Sequence, residues 1–109
     1  MAESIVTLVF GLFISILGII NMTGNISSLH WYHRQRVTEE NIKPYGRLIG
    51  LGTLIIGISL IAFGILYLVF EKAHNDLFLT IGTVELIVGV ATGLVISVFA
   101  MIKYNKGIF

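Results

Sequence analysis

Residues 48–70 read LIGLGTLIIGISLIAFGILYLVF, without one charged side chain. A helix rises about 1.5 Å per residue, so this run is long enough to cross the ~30 Å hydrocarbon core of a bilayer. Two more runs flank it. Residues 4–22, SIVTLVFGLFISILGIINM, carry no charge, and residues 77–102, LFLTIGTVELIVGVATGLVISVFAMI, carry Glu85 alone. The 109-residue chain is 56% hydrophobic and 12% charged, where a soluble domain has about 25% charged residues. The expected fold is all-α: one membrane domain over residues 1–109 with three transmembrane helices. A signal peptide is not expected, because Met1-Ala2-Glu3-Ser4 is acidic where a basic n-region would stand.

Residues 23–47, TGNISSLHWYHRQRVTEENIKPYGR, form the only long polar connection. Ser27 or Ser28 would cap a short interfacial helix there. Thr38 with Glu39 and Glu40 reads as a further helix start, acids at the positive end of the dipole. Pro44 suits a first helical turn, where its missing N–H costs nothing. Residues 71–76 read as a tight hairpin and 103–109 as a short tail, with Lys103, Lys106 and Gly107 as a helix stop.

Basic residues favour the cytoplasmic side. The first connection holds Arg34, Arg36, Lys43 and Arg47, and the tail holds Lys103 and Lys106, six of the seven Lys and Arg. Three spans put those two segments on one side, so the N-terminus and the hairpin are expected outside and the C-terminus in the cytoplasm. Trp31, Tyr32, Arg34 and Arg36 then lie at the lipid interface, in a run suited to an anionic lipid surface. His30 and His33 stand three apart but have no third ligand at a fixed spacing, so they read as interfacial residues and no metal or cofactor is expected. The Asn21-Met22-Thr23 and Asn25-Ile26-Ser27 matches to the glycosylation pattern read as coincidence, being beside the bilayer on the cytoplasmic side.

The glycines recur at seven-residue steps: Gly11 and Gly18; Gly50, Gly57 and Gly64; Gly82 and Gly89, with Gly93 four further on. Seven residues return a helix to within about 20° of the same face. Ser4, Thr7 and Ser15 join the first stripe, Gly46 and Thr53 the second, Thr92 the third. Helices in lipid associate where small residues let backbones approach, so all three stripes are expected to face protein, within the chain or between copies of it.

Glu85 lies eight residues past Leu77, roughly 12 Å inside that end of the helix. An acid at the centre of a span costs about 2.5–3.5 kcal/mol on insertion scales. Gly82, Gly89 and Thr92 place it on the glycine face, and no Lys, Arg or His lies within the other two runs. Three roles fit: a proton or cation site, a docking point for a cationic partner, or a neutral acid hydrogen-bonded to Ser, Thr or backbone.

No nucleophile–base pair, phosphate-binding loop or paired carboxylates appear, so an enzyme is not expected. The basic patch is short and pinned to the membrane, which argues against nucleic acid. The stretch HWYHRQRVTEENIKPYGRLIGLGTLIIGISLIAFG, residues 30–64, resembles small uncharacterised bacterial multi-span membrane protein families. The resemblance implies a bacterial plasma membrane and transfers no functional residue. Small multidrug transporters differ, with four spans and their acid in the first. The leading expectation is a non-enzymatic membrane protein that assembles as a homo-oligomer or as an accessory subunit of a larger membrane partner, with lipid around it. The alternative is a homo-oligomeric proton- or cation-coupled transporter or channel using Glu85.

Overall fold

The computed structural model describes residues 2–26 and 37–106. Three helices account for most of them: α1, Ala2–Met22; α2, Ile42–Ala73; and α3, Asp76–Tyr104. Each is long and apolar enough to cross a membrane, as expected of a multi-pass membrane protein. All three overrun the limits read from hydropathy, because the helix continues through polar residues such as Glu3, Lys43, Glu71 and Lys103. α2 has 32 residues, about 48 Å of helix. That exceeds the hydrocarbon core, so α2 tilts or extends into the headgroup region.

The connections are tighter than the sequence suggests. Just past the end of α1, Gly24 turns the chain away with a φ of +100°. In the first connection the described residues hold only a three-residue 3-10 helix, Glu39–Asn41, running straight into α2. It is too short to lie along an interface as a helix of its own, and Thr38 precedes it without a side-chain cap. Ser27 and Ser28 lie outside the described residues. Pro44 sits in the first turn of α2, where it breaks no helical hydrogen bond. The hairpin expected over 71–76 shrinks to His74 and Asn75. His74 takes left-handed backbone (φ 52°, ψ 38°) and its N–H closes α2 on the Phe70 carbonyl at 2.8 Å. The Asn75 side chain caps α3 by accepting from the Leu77 N–H at 3.0 Å.

α1 and α3 each pack along α2, on two of its faces. The first face is the glycine stripe. Gly50 backs onto Gly18, Gly57 onto Gly11 and Ser15, and Gly64 onto Ser4 and Leu8. The partner's number falls by seven as that of α2 rises by seven, the register of an antiparallel pair. The approach is backbone on backbone: a Cβ on Gly18 would stand 2.7 Å from the Leu54 nitrogen, and one on Gly11 would stand 2.9 Å from the Gly57 oxygen. The second face is set by Gly52 and Ser59, also seven apart. Gly52 meets Gly93 and Ser97, Ser59 meets Gly89, and Phe63 and Leu66 cover Gly82. Two residues along a helix is a turn of about 200°, so the Gly50 and Gly52 faces look in nearly opposite directions. α2 is therefore the middle helix of a layer, with α1 and α3 on its flanks.

At the end where α1 finishes, α2 begins and α3 finishes, Ile26, Tyr45, Ile49 and Ala100 form a small core, covered by Val37, Ile42, Leu48, Met101 and Tyr104. Tyr45 is fully buried, its ring edge-on to Tyr104 at 6.2 Å. Asn21 and Asn105 are buried in the same region, and the Asn21 amide donates to the Asn25 carbonyl at 2.9 Å. At the other end the Ser4 hydroxyl donates to the Glu71 carboxylate at 3.2 Å, tying the start of α1 to the end of α2.

Candidate functional site

Apolar side chains such as Val6, Phe13, Ile58, Ile87 and Val95 are exposed along all three helices. In a lipid solvent those faces are satisfied, so exposure alone marks nothing. Polar groups at membrane depth are more informative, because lipid offers them no hydrogen bonds. Most are already served by their own helix. Ser15 donates to the Gly11 carbonyl, Thr53 to Ile49, Ser59 to Ile55 and Thr83 to Leu79, each at 2.8 Å. These hydroxyls bond back to the residue four before them.

Glu85 is the exception. It is half-buried on α3, beside the buried line of Gly82, Gly93, Ser97 and Ala100. The glycine face brings it to α2, where its carboxyl meets the Ser59 hydroxyl. Its Oε2 atom is enclosed and has no hydrogen-bond partner among the described residues. Gly89, one turn later, makes room for Ser59, since a Cβ at 89 would overlap the Ser59 side chain. The site is thus one carboxyl and one hydroxyl at the α2–α3 seam. Among the described residues no three His, Cys, Asp or Glu side chains gather to hold a metal ion.

The other candidates divide clearly. Gly11, Gly18, Gly50, Gly57, Gly64, Gly82, Gly89 and Gly93 all lie against a neighbouring helix of the same chain, so the stripes are used up within one copy. Thr92 does not share that fate. It is exposed, because it sits about 100° around the helix from buried Gly93. Trp31, Tyr32, Arg34 and Arg36, with His30 and His33, lie outside the described residues. The second contact face of α2 was missed by following the longest glycine run alone. Gly52 and Ser59 repeat the same seven-residue step and were its available signal. Asn21, Tyr45 and Asn105 carry no periodic signal and emerge only where the helix ends converge.

No protein-family model matches the chain, and neither a curated protein nor a solved structure is similar to it. Residue roles therefore rest on the chain's own geometry.

Proposed function

We propose that this chain is a non-enzymatic membrane protein that works by assembling, with copies of itself or as an accessory subunit of a larger membrane protein. The observation that carries this reading is the layer itself. With α1 and α3 on opposite faces of α2, the described residues of one copy enclose no interior in which a substrate could be held or passed. Work at membrane depth then needs neighbours. The outer face of α3 suits them best, because exposed Thr80, Thr83 and Ala91 lie on it within about 80° of one another. The exposed positions of α1 between Ser4 and Met22 are large and apolar, from Ile5 to Ile20.

The orientation proposed is N-terminus outside and C-terminus cytoplasmic, in a bacterial plasma membrane. Antiparallel packing gathers exposed Lys43, Arg47, Lys103 and Lys106 at one end, while exposed Glu3 and Asp76 lie at the other with Lys72. That is the asymmetry the positive-inside rule follows.

Native mass spectrometry of the full chain, released from membranes in mild detergent, tests the assembly. The expected result is a species heavier than one chain, reduced to one chain by Ala91→Phe or Thr83→Leu while helical content is kept. A single-chain mass at every concentration contradicts it. A proton- or cation-coupled transporter or channel built from several copies is the second reading, favoured by the enclosed Glu85 carboxyl oxygen.

A further inference from the structure

We propose that Glu85 and Ser59 form a proton-binding site inside the bilayer, in which one proton joins the carboxyl to the hydroxyl oxygen across the α2–α3 seam. The inference comes from hydrogen-bond accounting and holds whether or not the chain assembles.

A serine hydroxyl has one hydrogen to donate and two lone pairs to offer. Ser59 spends its hydrogen on the Ile55 carbonyl at 2.8 Å. With its hydrogen on Ile55, the hydroxyl has only lone pairs left for the Glu85 carboxyl it meets. An ionised carboxylate is also an acceptor and nothing else, so the two oxygens would face each other with no hydrogen between them. A proton on Glu85 supplies it: the acid O–H donates to the Ser59 oxygen while Ser59 goes on donating to Ile55. When that proton leaves, Ser59 can keep a bond to Glu85 only by swinging its hydrogen from the Ile55 carbonyl to the carboxylate. The site therefore has two hydrogen-bonded states that differ by one proton and one hydroxyl rotation.

Three features support a proton as the ligand. Oε2 has no donor among the described residues to satisfy a negative charge, whereas a neutral acid leaves there a single uncharged acceptor. Among the described residues no competing charge faces the pair. Between Arg47 and Glu71, α2 holds one titratable group, Tyr67, whose ring lies against Phe63 and Phe70. Between Asp76 and Lys103, α3 holds only Glu85, and α1 has no titratable side chain after Glu3. Finally, one carboxyl and one hydroxyl fall well short of the six or more oxygens that a hard cation such as Ca2+ gathers. Gly89 is what lets the pair meet, because any side chain there would intrude on Ser59.

Infrared spectroscopy of the full chain in phosphatidylcholine vesicles tests this directly. At neutral pH a carboxylic-acid C=O band is expected, absent from Glu85→Gln and shifted in frequency in Ser59→Ala. Adding sodium chloride at fixed pH should leave it unchanged. The proposal is overturned if no acid band depends on Glu85, if Ser59→Ala leaves the band where it was, or if sodium abolishes it. Circular dichroism on each variant confirms the helices, and Ser59→Ala carries the test if Glu85→Gln fails to fold.

Discussion

His74 pays for the two-residue hairpin with left-handed backbone (φ 52°) that a side chain disfavours. That conformation costs an L-residue roughly 1–2 kcal/mol, so His74→Gly should stabilise the protein by up to about 1 kcal/mol once the extra freedom of glycine in the unfolded chain is offset. A rise in the thermal midpoint in detergent checks it. At the same end of the molecule, Ser4→Ala removes the 3.2 Å bond to Glu71 and should cost about 1 kcal/mol, read in the same assay. Residue-level chemistry was legible where one letter breaks a pattern. Glu85 stands out because it is the only charge in its run. Its partner Ser59 did not, because a serine in an apolar helix bonds to its own backbone as readily as to a neighbour.

The helices are fitted together by where a methyl group cannot go. Gly18→Ala places a Cβ against backbone, 2.7 Å from the Leu54 nitrogen and 2.8 Å from the Gly50 oxygen. Backbone cannot swing aside, so α1 and α2 must part, at a cost of about 1–3 kcal/mol. Gly82→Ala is the control. Its Cβ would meet only side-chain atoms of Leu66 and Phe63, at 3.3 Å and beyond, and helix propensity favours alanine by about 1 kcal/mol. Parallel unfolding titrations should show a marked loss for Gly18→Ala and little or none for Gly82→Ala. The existence of the helices and most of their contact residues could be read from the sequence, since length, apolarity and the seven-residue step are local properties. Which helix each stripe meets could not. One stripe looks the same whether its partner is a helix of the same chain or of another copy, and Gly52 with Ser59 shows that α2 needed two.

Across the whole molecule, the ends of the helices decide orientation. The chain has no cysteine, so single cysteines report cleanly. With the N-terminus outside, Asp76→Cys at the start of α3 should react with a membrane-impermeant maleimide on intact cells, and Lys106→Cys only after permeabilisation. The reverse pattern would invert the assigned orientation and leave the packing untouched. The packing itself, with α2 in the middle, underlies both the assembly and the Glu85–Ser59 site. Its most direct test is the distance between spin labels at exposed Phe10 on α1 and exposed Ile87 on α3, attached through cysteines and measured in lipid vesicles. Packed helices lie about 8–10 Å apart. A layer with α2 between them predicts two such spacings, about 16–20 Å between axes and more between outward-pointing labels. A separation of one spacing would mean that α1 and α3 touch, and would contradict the layer.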